Sequence, residues 1–161
     1  MKLLIQDVKE DFFTKNPNFH VIYANGKYSH CKGCFDCWTK NPTKCKMTDS
    51  LQNISKIIGE ANEITIVSEN YYGMYSPAIK TILDRSIGTS LPLCTYRDKQ
   101  MHHFLRYKQK DLLHIICYGD ITEKEKATFQ LLAQRNVINE GFNNFNITFI
   151  KSTEDLETLI K

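Results

Sequence analysis

"EITIVSENYYGMYSPAIKTILDR", residues 63–85, holds a strand, a turn and a helix in that order. Residues 63–70 (EITIVSEN) are rich in β-branched side chains and have the length of one strand. Residues 70–76 (NYYGMYS) combine aromatics with a turn-forming glycine. Ser76-Pro77 then opens a helix, with proline at the first helical position, where its missing N–H removes no bond. Ala78, Ile79, Ile82, Leu83 and Ile87 give this helix, 76–88, a single buried face.

The same alternation extends outward in both directions. Toward the N-terminus, KLLIQDV (2–8) and FHVIYAN (19–25) read as short strands. Residues 49–61 read as a helix whose apolar stripe is Leu51, Ile54, Ile57, Ile58 and Ala61, and Asp49 with Gln52 resembles a capping box. Toward the C-terminus, LLHIICYG (112–119) is a continuous apolar run of the kind buried in a parallel sheet. Thr122-x-x-Glu125 is a capping box opening a helix to about Asn139, with Gly141 as its stop. FNITFIK (145–151) reads as a last strand and 153–160 as a last helix. This alternation predicts an α/β domain over residues 1–161 with a five-stranded parallel sheet of order 2-1-3-4-5. Such sheets bind ligands at the carboxyl ends of their strands, near the switch between strands 1 and 3. Gln6–Asp7, the cysteine segment, 69–75 and 117–120 are therefore the expected functional surface.

A net charge of +3 gives no ground for a nucleic-acid partner. No apolar run approaches the roughly 18–20 residues that span a bilayer, so no membrane partner is expected. With no leader visible either, a cytoplasmic location is expected, where thiols stay reduced.

Three stretches, "CKGCFDCW…KC…TDSLQNI", "ANEITIVSENYYGMYSPAIKTILDR" and "CYG", resemble the NADPH-dependent FMN reductases of the flavodoxin-like superfamily, of which the iron–sulfur flavoproteins are a branch. The resemblance runs from about residue 30 to 140. It implies a three-layer flavodoxin-like sandwich. It also implies an FMN site built from Glu69, Asn70, Tyr71, Tyr72, Gly73 and Met74 with Cys117, Tyr118, Gly119 and Asp120. The activity implied is NAD(P)H-dependent oxidoreduction on a flavin or nicotinamide ligand, by a homodimer joined through helix 76–88 and the connection that follows it. Catalytic residues are not implied. By their chemistry alone, Tyr71, Tyr72, Gly73 and Tyr75 could hold a flat ring or could equally be core or interface aromatics.

The chain departs from the family after strand 1. There the family has a Gly-Ser loop opening a helix, whose N–H groups and dipole hold the phosphate of FMN. Here the segment is QDVKEDFFTKNPN (6–18), with no glycine and with carboxylates at Asp7, Glu10 and Asp11. Asp7 would repel a phosphate dianion. The segment is also too short for a full crossover helix, so a shortened first crossover is expected.

Cys31, Cys34, Cys37 and Cys45 follow the spacing C-x2-C-x2-C-x7-C. That arrangement suits a [4Fe–4S] cluster, suits zinc less well, and also suits a reduced, thiol-lined loop. A disulfide exchange role for a Cys31–Cys34 or Cys34–Cys37 pair requires a depressed thiol pKa. Residues 90–110 form a connection of about twenty residues, read as loop, with basic residues Arg97, Lys99, Arg106, Lys108 and Lys110 against Asp98. It could be a lid for an anionic substrate, a solvated loop or a subunit contact. Within it, Met101-His102-His103 and Arg106-Tyr107 resemble one subgroup of the family. Three functions stay open: a flavoprotein oxidoreductase with a degenerate FMN site, a cofactor-free flavodoxin-like binding module, and an iron–sulfur electron carrier.

Overall fold

The structure is a computed structural model that describes residues 1–97 and 99–160. Strands β1 (Lys2–Gln6), β2 (Phe19–Tyr23) and β3 (Glu63–Glu69) are joined, between the second and third, by helix α1 (Ile54–Glu60). Helix α2 (Pro77–Asp84) and a 3-10 turn (Ile87–Thr89) lead to β4 (Ser90–Arg97) and β5 (Gln100–Leu105). Strand β6 (Lys110–Tyr118), helix α3 (Glu123–Glu140), strand β7 (Phe142–Ile150) and the single turn α4 (Leu156–Leu159) complete the chain. Five strands form one parallel sheet in the order β2-β1-β3-β6-β7. Counted within the sheet alone, that order is the expected 2-1-3-4-5.

Alternation along the strands builds two cores. Leu3, Ile5, Ile64, Ile66, Leu113 and Ile115 face α1, α2 and α3. Leu4, Val67 and Ile116 face the other way, where Phe12 from the first crossover and Leu156 and Ile160 from the C-terminal segment cover them. The crossover 7–18 forms turns and no helix, as its length predicts. Among the described residues no helix is long and apolar enough to cross a membrane.

Local capping chemistry forms where the sequence placed it, with one exception. Ser76 caps α2 by accepting from the Ile79 N–H, and Thr122 and Glu125 make both halves of their capping box. Gly141 ends α3 with φ 73°, a left-handed conformation that suits glycine. The Asp49–Gln52 box does not form: Asp49 accepts from the N–H groups of Leu51 and Ser29 and from Arg85, and α1 begins only at Ile54. A charged partner 36 positions away has claimed the capping carboxylate. The C-terminal helix expected over 153–160 shrinks to α4.

Residues 90–110 are not a loop. β4 and β5 pair antiparallel as a separate ribbon, with Cys94 opposite His103, Thr95 opposite His102 and Arg97 opposite Gln100. Asp98 lies outside the described residues. The ribbon packs at the amino edge of the sheet. The side chain of Leu105 lies against Gly141, just before β7, and Arg97 donates to the Ile138 carbonyl near the end of α3 at 2.9 Å. The lid reading is therefore corrected, since within one chain this ribbon is at the opposite edge from the strands' carboxyl ends.

Candidate functional site

The carboxyl ends of β1, β3 and β6 meet through one side chain. Asp7, directly after β1, accepts the Glu69 N–H at 3.2 Å on each carboxylate oxygen and the Tyr118 hydroxyl at 3.0 Å. Burial pushes the Asp7 carboxyl above its ordinary value, and hydrogen bonds from Ser76, Glu69 and Tyr118 oppose that only in part. Burial, with the neighbouring Asp7 charge, likewise pushes the Tyr118 phenol far up, so it stays a donor.

The aromatic turn is tied to the loop after β6. Asn70 donates its backbone N–H to Tyr118 O at 2.8 Å and its side-chain amide to Asp120 O at 2.8 Å, and it accepts from the Gly73 N–H at 3.0 Å. Tyr72 and Gly73 both have positive φ, 55° and 78°. At Gly73 a Cβ would stand 2.8 Å from the Glu125 carbonyl oxygen, so only glycine lets the turn lie against the start of α3. Tyr71 and Tyr72 stack edge to face at 5.1 Å, and Tyr72 is 79% exposed. Together they present aromatic surface to solvent beside the strand ends.

Other predicted site residues go elsewhere. Tyr75 is buried, edge-on to Phe129 at 5.0 Å, with its hydroxyl accepting from Asn136. It is a core residue and no ring-binding face. Cys117 is fully buried, and burial raises its thiol to about 12. What it can offer a ligand is only its place in the strand. Met74 is half-buried, while Gly119 has φ 99°, and a Cβ there would stand 4.0 Å from the Glu69 side chain.

Two clefts flank these residues. One of about 420 Å³ lies at the β1/β3 switch point and is lined by Asp7, Gly26, His30, Glu69, Ser76 and Thr81, among others. The second, of about 600 Å³, is lined by Gly119, Asp120, Thr122, Glu125 and Lys126 at the start of α3. Tyr71 and Tyr72 line neither. His30, which hydrogen-bonds Thr81 at 3.1 Å, and Ser68, whose buried hydroxyl accepts from the Ser76 N–H at 2.8 Å, escaped the sequence reading. A serine inside the apolar run TIVSE was the only available sign of the latter.

The four clustered cysteines are free thiols. They line a smaller pocket of about 160 Å³ together with Arg85, which is 1% exposed. One guanidinium nitrogen of Arg85 donates to Asp49 and to the Ser29 carbonyl, while Nε and Nη2 have no partner. Burial, then the neighbouring charges of Cys45, Cys31 and Cys34, push the Cys37 thiol up, opposite to what disulfide exchange at Cys34–Cys37 requires. Among the described residues no group of three or more His, Cys, Asp or Glu is disposed to hold a metal ion. The iron–sulfur reading and its electron-carrier function therefore gain no support. The segment is instead packed down: Trp38 donates to Ile87 O at 2.6 Å and lies 4.7 Å from the His103 ring.

No family model and no curated protein matches this chain. Solved structures do match. An FMN-dependent NADH-azoreductase from Bacillus anthracis str. Ames Ancestor, in complex with FMN, is 12% identical with a TM-score of 0.55, over 92% of this chain and 85% of that one. An azoreductase from Bacillus anthracis str. Sterne is 10% identical with a TM-score of 0.56, over 98% of this chain and 89% of that one. At such identities the likeness shows the fold, and the fold is the flavodoxin-like α/β sandwich.

Proposed function

We propose that this chain is a single flavodoxin-like domain, 1–161, acting as an NAD(P)H-dependent flavoprotein oxidoreductase with a degenerate FMN site. The observation that carries the reading is the exposed Tyr71–Tyr72 pair, held by the Asn70 tethers beside Gly119 at the carboxyl end of the sheet. Ligands of open α/β sheets bind there. The azoreductase of the same fold that holds FMN supports it. The ring end of a flavin fits: flat aromatic faces are offered by side chains whose backbone is fixed. The phosphate end does not fit, because Asp7 and Glu69 stand at the switch-point cleft. A bound flavin would supply hydride transfer; the residues of the chain bind and orient it. In this reading Glu69 to Met74 and Cys117 to Asp120 form the cofactor-binding set, with Tyr72 as the stacking face.

Fluorescence quenching on titration with a flavin tests the proposal. Tyr72→Ala should weaken binding about fivefold, the size of one aromatic contact of about 1 kcal/mol. Unchanged affinity would remove Tyr72 from the site. A second reading, a cofactor-free binding module, is favoured by Asp7 taking up donors that a ligand would use. It predicts no quenching by any flavin.

The chain would also act as a homodimer through the β4–β5 ribbon, where Leu93, Tyr96 and Met101 are 63%, 75% and 65% exposed. Light scattering should give twice the monomer mass, and Tyr96→Asp with Met101→Glu should return it to one. A wild-type monomer at micromolar concentration would end that part of the proposal.

A further inference from the structure

An anion bound at strand ends needs donors with nothing else to satisfy. Around this switch point many of them are already used by the chain. The Val8 and Lys9 N–H groups, which follow β1, both donate to Oε1 of the buried Gln6, at 2.7 and 3.1 Å. The Glu69 N–H and the Tyr118 hydroxyl donate to Asp7. At the start of α2, the Ser76 N–H goes to Ser68 and the Ile79 N–H to Ser76. Beyond β6, the Gly119 N–H goes to Ile150 O at 3.1 Å. Asp7 thus occupies, as a covalent part of the chain, the role an incoming anion would otherwise take.

Charge acts in the same direction. The cleft is lined by two carboxylates, Asp7 and Glu69, and among the described residues His30 is the only lining side chain able to carry positive charge. Its other walls include Ala24, Gly26, Pro77 and Ala78, which are apolar or lack a side chain.

We propose that the switch-point cleft, facing the tail of a flavin whose ring stacks on Tyr72, selects against phosphate, so that riboflavin is bound in preference to FMN. This rests on the flavin reading above and deepens it by naming the charge class of the ligand. Like charges brought together in binding are costly, so the preference should be at least about tenfold at neutral pH. It should narrow as salt is raised from about 0.05 to 0.5 M, because part of it is Coulombic.

The test is parallel fluorescence titration of riboflavin and FMN against the whole chain, then against Asp7→Asn. Tighter riboflavin binding in the wild type, together with a gain of about tenfold for FMN and less than about threefold for riboflavin in Asp7→Asn, supports the proposal. FMN binding as tightly as riboflavin to the wild type overturns it and leaves the flavin reading standing. Quenching of neither compound overturns the flavin reading and the proposal with it. The wild-type comparison decides the matter even if the variant does not fold.

Discussion

Arg85→Ala is expected to lower stability by about 3 kcal/mol, read as a shift in the denaturant midpoint at unchanged slope. The guanidinium is fully buried and is the one charged link between the end of α2 and the segment holding Ser29 and Asp49 among the described residues. Removing it leaves a cavity and an unpaired carboxylate. Asp49 keeps 21% side-chain exposure, which holds the loss below the upper end of the range for broken buried pairs. The pH response carries a sign. Burial raises the Asp49 carboxyl, but bonds from Arg85, Ser29 and Leu51 outweigh it and hold it below its ordinary 3.8. A carboxyl lowered in the fold contributes stability that is present above that ordinary value and lost as pH falls through the lowered one. Arg85→Ala should therefore flatten the acid limb of the stability curve. A loss under about 1 kcal/mol, or an unchanged acid limb, would show that the pair does not hold this segment. Arg85→Leu with Asp49→Leu should recover part of the loss, because replacing both partners removes the orphaned charge.

Phe129→Ala should cost about 3–5 kcal/mol and lower Tm by about 10 °C. Phe129 is fully buried on α3, edge-on to Tyr75 at 5.0 Å and within 6.3 Å of Phe149 on β7. It joins helix, sheet and the far end of the aromatic turn. Phe129→Leu keeps most of the volume and should cost less than half as much. If the two substitutions cost the same, ring geometry outweighs volume at this position. The alanine variant should also loosen the turn, visible as faster amide exchange at Tyr71 and Gly73, whose N–H groups are bonded within it.

What was legible was local. Residues 63–69 read as a strand by their β-branched side chains, and 112–118 because a strand buried in a parallel sheet is nearly continuous in apolar character. The Thr122–Glu125 cap and the Gly141 stop read correctly because each is completed within a few residues. The β4–β5 ribbon was illegible because no glycine or asparagine marks its reversal and neither strand has a buried face to impose an apolar alternation. The Asp49 cap failed because Arg85 competes from a distance that sequence spacing does not reveal. In the site, Gly73 and the paired tyrosines marked the turn, yet nothing in the string YYGMY told that Tyr72 would face solvent and Tyr75 the core. Asp7 was legible as an obstacle to phosphate. Its bonds to Glu69 and Tyr118 were not, because they depend on the stacking order of three strands.

The bond from Tyr118 to Asp7 closes over 111 positions of chain. At about 5–20 residues per second, roughly 6 to 20 s of synthesis separate its two partners. Strand β1 is made first but sits inside the sheet, and its inner neighbour β3 starts at residue 63. The switch-point wall is therefore completed only after β6 has been made, and a nascent chain that stops short of β6 carries Asp7 without its hydroxyl donor.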